Sequence, residues 1–276
     1  MTTTPHSDDL VRGGRTISAD GTAITWLARG AGPVILAVHG GLGSAVSMLP
    51  LADHLSGFAL VAMNCRGHGT SGPAQSPPHI GHEIADVLAV LDAVGPIEML
   101  FGYSYGAVLA LETALTHPDH IPKLALYEPP LPATYPIPDL DALDTALDAG
   151  DYERLLLTAS AGAGGFSPAE LAAVREDPLW LHKVAQAPTL ASTLRALSGL
   201  EPTVGRYVAI TAATTLITGT TSAPYLLEAA DLLAAQLPRV HRAALPGQGH
   251  HPDPRLLAQA LALSAEPDTD AIGLIR

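Results

Sequence analysis

Cysteine is nearly absent from this sequence of 276 residues: Cys65 stands alone. A lone cysteine excludes an intrachain disulfide framework and every cysteine-rich metal pattern, and a reducing, cytoplasmic setting is expected. Positive charge is scarce. Lys and Arg number 14 against 27 Asp and Glu, the formal net charge is −13, and Lys123 and Lys183 are the only lysines. An acidic surface repels phosphate backbones, so neither a nucleic acid nor an anionic membrane is an expected partner. Polyanionic substrates are disfavoured as well, unless a local basic pocket overrides the net field. Long apolar runs are missing: no uninterrupted stretch of about 18 apolar residues occurs, so no membrane span is expected. The opening MTTTPHSDDL carries no apolar core, so no signal peptide is expected. What is present is 47% hydrophobic and 15% charged residues, the reverse of a disordered composition. The length suits one large α/β domain, or one such domain with an insertion.

Apolar patterning fills in that outline. Residues 14–29 hold two alternating runs around Asp20-Gly21, a hairpin signal in which both turn positions are expected at positive φ. Pro33–Val38, 58–63 and Ile97–Phe101 are continuous apolar runs, the mark of strands buried on both faces. Helical spacing covers His79–Val94, and Tyr105–Thr116 reads as a helix that Pro118 ends. Lys123–Tyr127 is a short strand closed by Glu128 and Pro129-Pro130. From about 131 to 205 the pattern turns helical, with candidate helices at Asp139–Ala149, Tyr152–Ala159, Pro168–Glu176 and Pro188–Ser198, and a flexible joint at 160–167. Strand and helix then alternate again: Thr214–Thr218, Pro224–Leu237, Arg239–Leu245 and Pro254–Ser264. The tail after Glu266 is expected to be loosely held. This order predicts a mostly parallel sheet with helices on both faces, interrupted by a helical insertion over its carboxyl edge.

Three motifs carry chemistry. Gly102-Tyr103-Ser104-Tyr105-Gly106 is G-x-S-x-G between a buried strand and a helix. A tight turn there thrusts a serine hydroxyl out of the sheet, and the glycines let neighbouring elements approach. The following helix N-terminus favours developing negative charge. His39-Gly40-Gly41 ends an earlier buried strand, and the amides of Gly41 and Tyr105 are the candidate donors to an oxyanion. His39 itself reads as a histidine that organises its loop. Late in the chain, PGQGHH offers a general base free to reach the serine. His250 follows Gly249 directly and is preferred to His251, which starts the turn into the last helix.

With these residues in order, the chain resembles the α/β-hydrolase superfamily, in its branch with a helical cap. The likeness spans nearly the whole chain: the hairpin, HGG after the third strand, NCRGHGTSG after the fourth, GYSYG after the fifth and GQGH after the last. It implies a mostly parallel eight-stranded sheet flanked by helices, a core of residues 1–130 and 206–276, and a cap inserted after the sixth strand at 131–205. It also implies a triad in the chain order serine, acid, histidine. The loop after the seventh strand, where members of the family usually keep the acid, has no carboxylate here (Gly219-Thr220-Thr221-Ser222-Ala223-Pro224). Some members place it after the sixth strand, where this sequence has Glu128, and Glu128 is assigned, with a dyad and water or an acid from elsewhere as the alternative. A serine at position 104 departs from the aspartate nucleophile of the epoxide hydrolases and haloalkane dehalogenases. In the NCRGHGTSG loop Asn64 stands where family members usually have Asp, and the loop is expected to brace its neighbours, with Cys65 packed inside it.

The expectation is a hydrolase without cofactor or metal, in which Ser104, His250 and Glu128 cleave a small, mostly apolar ester, lactone or thioester. The histidines lack acidic partners at metal-ligand spacing. Leu42, Tyr103, Tyr127, Phe166 and Trp180 are candidates to line the pocket, with ordinary packing the preferred role for each of the four aromatics. C–C hydrolysis, a cyclisation or lyase step, and acyl transfer remain open at the same triad, as does a non-catalytic ligand-binding use of the fold. The partner is a small-molecule substrate, and monomer and homodimer fit equally.

Overall fold

The first turn of the chain departs from expectation. In the protein, described here by a computed structural model over residues 10–74, 78–164, 175–176 and 180–266, strand β1 (Arg12–Ile17) pairs antiparallel with β2 (Ala23–Gly30). The Ser18 amide donates to the Thr22 carbonyl at 2.8 Å and the Gly21 amide to the Ser18 carbonyl at 2.9 Å. Gly21 takes φ 87° and Asp20 does not go positive. The turn is therefore a longer loop that ends in one left-handed glycine, not a two-residue turn with both positions left-handed. Asp20 contributes its side chain instead, accepting from the Thr22 amide at 3.0 Å.

The apolar runs form β3 (Val34–Val38), β4 (Ala59–Asn64), β5 (Met99–Tyr103) and β6 (Lys123–Tyr127), and β7 (Ala213–Gly219) and β8 (Val240–Leu245) follow. All eight strands make one sheet in the order β1-β2-β4-β3-β5-β6-β7-β8. β2 meets β4 antiparallel, and from β4 through to β8 every pairing is parallel. Parallel strands need crossovers, and helices supply them on both faces.

One face is covered by α2 (Ile80–Val94) and α3 (Tyr105–Thr116), which bury Ile84, Val87, Val108 and Leu111 with Leu36, Leu100 and Leu126 of the strands. The other face packs the short helix α1 (Ala45–Met48), the 3-10 turn Leu49–His54 and the last helix against Ile35, Phe101 and Ile217. Between β6 and β7 the chain builds α4 (Leu140–Asp148), α5 (Tyr152–Gly164) and α6 (Trp180–Ser198), and α7 (Pro224–Ala234) and α8 (Pro254–Ala265) complete the order. Leu143, Leu155, Trp180 and Leu194 of α4–α6 close into a separate apolar cluster.

Two expectations in this region are corrected. The joint expected from residue 160 is helical as far as Gly164, so α5 runs through its first half. α6 starts at Trp180, eight residues before Pro188, and holds that proline in its interior. A proline there forfeits one backbone bond, and burial of Ala187, Ala191 and Leu194 on either side outweighs that loss. The helix expected at Pro168–Glu176 falls almost wholly outside the described residues, as does the tail after Glu266.

The NCRGHGTSG loop braces its neighbours. The Asn64 side chain accepts from the Ala45 amide at 2.8 Å and donates to the Thr25 hydroxyl at 2.9 Å. Arg66 grips Asp86 through two nitrogens at 2.8 and 2.7 Å and reaches Asp20 at 2.8 Å. Cys65 is buried, and burial pushes its thiol well up from the ordinary range, so it is a packed and unreactive side chain.

Candidate active site

β5 delivers Ser104 in a conformation that few side chains adopt, φ 55° and ψ −122°. The strain persists because the surroundings over-determine it. The Ser104 amide donates to the Tyr127 carbonyl at 2.8 Å, and α3 begins at the next residue. The motif glycines are set by contact. A Cβ on Gly102 would stand 2.3 Å from the Gly106 carbonyl oxygen, and one on Gly106 would stand 2.2 Å from that of Val38. Any larger residue would pry α3 off β5 and β3.

The Ser104 Oγ lies 3.0 Å from His250 Nε2, and His250 Nδ1 lies 2.7 Å from Glu128 Oε2. Glu128 is fully buried at the end of β6 and, like Ser104, takes a positive φ, 48°. Its other oxygen accepts from the Gly219 amide at 2.7 Å and from the Ser222 hydroxyl. The loop after β7 thus holds no acid of its own but clamps one carried by β6. With Nδ1–H directed at a carboxylate, Nε2 turns its lone pair to the serine, which is what removal of a hydroxyl proton requires.

The histidine loop is tied down by phenols. Tyr103 donates to the His250 carbonyl and Tyr127 to the Gly249 carbonyl, and the two rings stack at 5.3 Å. Burial, reinforced by the nearby Glu128 charge, pushes both phenols up from their ordinary value, so they remain donors. The Thr221 amide and hydroxyl both donate to the Gln248 carbonyl, at 2.9 and 2.8 Å. His251 is exposed, with Nδ1 3.2 Å from the Tyr103 hydroxyl.

The loop after β3 lies against the serine, since a Cβ on Gly40 would come within 3.1 Å of the Ser104 Cβ. His39 holds this loop: its ring lies 2.7 Å from the Gly40 carbonyl through Nδ1 and accepts from the Cys65 amide at 3.1 Å through Nε2. Burial lowers its pKa to about 3, so the ring is neutral. Tyr105 opens α3, where a first-turn amide has no intrahelical carbonyl to serve, and its hydroxyl donates to the buried Glu83 at 2.6 Å. Gly41 and Tyr105 both border the same cavity as Ser104.

That cavity encloses about 630 Å³. Its floor includes Ser104, His250, Leu42 and Tyr103, and its roof includes Leu156, Lys183, Leu190, Leu194 and Leu197 of α5 and α6. Two expected lining residues are elsewhere. Tyr127 is fully buried beneath the site and spends its hydroxyl on Gly249. Trp180 is buried in the cluster between α4, α5 and α6. Phe166 lies outside the described residues. The clamp of Gly219 and Ser222 and the wall formed by α6 were missed from sequence; the spacing of Leu190, Leu194 and Leu197 was the available signal for the wall. Among the described residues, no group of three or more His, Cys, Asp or Glu is placed to hold a metal ion, and no helix is long and apolar enough to cross a membrane.

Comparison with known proteins agrees with this architecture. The family model for the alpha/beta hydrolase fold matches residues 33–173. An uncharacterized hydrolase of Bacillus subtilis, YraK, is 32% identical over 120 residues, 41% of this chain and 44% of that protein. Epoxide hydrolase 3 of Siraitia grosvenorii is 32% identical over 144 residues, 50% of this chain and 45% of that protein. The chain therefore spans under half the length of both curated relatives. Among solved structures, an alpha/beta hydrolase from Sphaerobacter thermophilus superposes with a TM-score of 0.82 at 29% identity, over 91% of this chain and 99% of that one.

Proposed function

The chain belongs to the alpha/beta hydrolase fold family, and from that premise we propose that it is a serine hydrolase acting on a carboxylic ester, lactone or thioester through an acyl-enzyme. One observation carries the proposal: the unbroken line from Glu128 through His250 to Ser104, at 2.7 and 3.0 Å, whose hydroxyl end borders an apolar cavity. His250 takes the Ser104 proton as Oγ attacks the carbonyl carbon. The amides of Gly41 and Tyr105 receive the oxyanion, each contributing about 3 kcal/mol at the transition state. His250 then protonates the leaving group, and a water activated by the same ring releases the acid. Residues 131–205 are the cap, of which α5 and α6 roof the cavity and select substrate.

The partial likeness to an epoxide hydrolase does not redirect this proposal. Ring opening of that kind in this family uses an aspartate nucleophile, and position 104 is serine. Labelling with a fluorophosphonate tests the proposal: wild type should be modified at Ser104 and Ser104→Ala should not. Folded wild type that resists labelling overturns it.

A further inference from the structure

Most hydroxyls on the cavity wall are already spent within the protein. Ser47 donates to the Ser44 carbonyl at 2.7 Å and Ser160 to the Leu156 carbonyl at 2.8 Å. Tyr103 and Tyr105 are held by the His250 carbonyl and by Glu83. Tyr135 and Tyr225 pack edge to face on each other at 5.5 Å. Thr193 of α6 differs. Threonines inside helices often turn their hydroxyl back to a carbonyl four residues earlier, as Thr113 does to Leu109 and Thr145 to Asp141, both at 2.8 Å. Among the described residues nothing accepts from the Thr193 hydroxyl, although the residue is only 6% exposed. The fully buried side-chain atoms without a partner belong to Ser18, Thr22, Thr134 and Arg206. The Thr193 oxygen is not one of them, so the surface it keeps opens to the cavity that the residue lines. A donor left unspent in an apolar setting is costly unless a ligand takes it.

The position of Thr193 on the roof says which ligand atom that is. A Cβ built on Gly41 would stand 3.3 Å from the Thr193 methyl and 3.9 Å from the Thr193 Cβ, with a methyl of Leu190 also at 3.3 Å. The hydroxyl is one bond beyond that Cβ. Gly41 is a candidate oxyanion donor and borders the same cavity as Ser104. When Ser104 Oγ bonds to the carbonyl carbon, its proton passes to His250 and the π pair of the carbonyl withdraws onto oxygen. The alkoxide so formed has room for three hydrogen bonds, and the amides of Gly41 and Tyr105 supply two.

Resting on the hydrolase reading above, we propose that Thr193 is a further catalytic residue, whose hydroxyl donates the third hydrogen bond to the oxyanion from the side of the cap. Its methyl, packed on Gly41 beside Leu190, holds that hydroxyl in place. The roof then takes part in the chemistry of every substrate, besides selecting among them.

Two variants separate the hydroxyl from the methyl. Thr193→Val keeps the shape against Gly41 and removes the donor; Thr193→Ser keeps the donor. With p-nitrophenyl acetate, kcat should fall about 10- to 100-fold in Thr193→Val, with KM within about threefold and the melting temperature unchanged, and Thr193→Ser should restore most of the rate. The loss should be the same for the butyrate and octanoate esters, because the bond is made to the reacting oxygen and not to the chain. An alkyl trifluoromethyl ketone, which adds Ser104 and leaves an oxyanion, should bind Thr193→Val more weakly by the same factor, whereas the corresponding secondary alcohol, which cannot add, should bind both proteins alike. Fluorophosphonate labelling of Ser104 separates the two ways to fail. Folded wild type that resists labelling overturns the hydrolase reading, and this proposal with it. With labelling intact, a Thr193→Val enzyme within threefold of wild type, a loss that Thr193→Ser does not rescue, or a loss confined to KM or to the longer chains overturns the role of Thr193 alone.

Discussion

Replacing Glu128 by glutamine changes one property of the site and leaves its shape intact. The oxygen that accepts from the Gly219 amide at 2.7 Å and from Ser222 must remain an acceptor, so the glutamine carbonyl takes that place. Its NH2 group then falls where Oε2 stood, 2.7 Å from His250 Nδ1. An NH2 group donates, so Nδ1 must accept and the single ring proton moves to Nε2. That atom faces Ser104 at 3.0 Å and would present N–H where a lone pair is needed. The expected loss in kcat is about 10³- to 10⁴-fold, or roughly 4–5 kcal/mol of barrier. Steady-state hydrolysis of p-nitrophenyl acetate and the rate of fluorophosphonate inactivation should fall together. The melting temperature should stay within a few degrees of wild type, because every buried polar atom keeps a partner. A kcat within tenfold of wild type, with the fold intact, would refute the tautomer argument and remove Glu128 from the proton path.

Three further outcomes are expected. Ser104→Gly should be more stable than Ser104→Ala by about 1–2 kcal/mol, read by urea unfolding, because glycine accepts φ 55° without strain. Arg66→Met should destabilise by about 3–5 kcal/mol in the same assay, since it leaves Asp86 buried and unpaired by its guanidinium. Burial raises the pKa of Glu83 from an ordinary 4.5 to about 7. The unfolded chain therefore ionises first, and the stability contributed by this group is complete below pH 4.5 and is lost as pH rises through 7, by roughly 3 kcal/mol. Glu83→Gln keeps an acceptor for Tyr105 and should melt higher than wild type at pH 8 but not at pH 4; equal gains at both would contradict the assignment.

Much of the sheet was legible because its strands are short apolar runs bounded by loops that carry glycine or proline. The convergence of Ser104, Glu128 and His250 was legible because each follows a strand that ends at the same edge, although Glu128 was reached only through the family likeness and the lack of a carboxylate after β7. What escaped was non-local. The hydroxyls of Tyr103 and Tyr127 find carbonyls 147 and 122 residues away, and no local pattern encodes such a pairing. The same limit left Tyr127 among the candidates for the pocket. It pairs in register with Tyr103, but a strand buried on both faces does not reveal which face meets the cavity. Pro188 misdirected the start of α6 because propensity is a weak guide where packing on Ala187, Ala191 and Leu194 decides.

The acid precedes the excursion of α4–α6, and its clamps, Gly219 and Ser222, come after it. Between them β6 and β7 lie in parallel register, Tyr127 opposite Ile217, about 4.8 Å apart as neighbouring strands are. Everything from residue 131 to the start of β7 is thus a loop whose two ends are riveted together by the sheet, and loop closure depends only logarithmically on loop length. The roof can be lengthened, shortened or exchanged without moving Glu128 relative to His250. Under the proposed triad, proton transfer would be written in strand ends, and substrate choice in a stretch of helices whose two ends the sheet holds together.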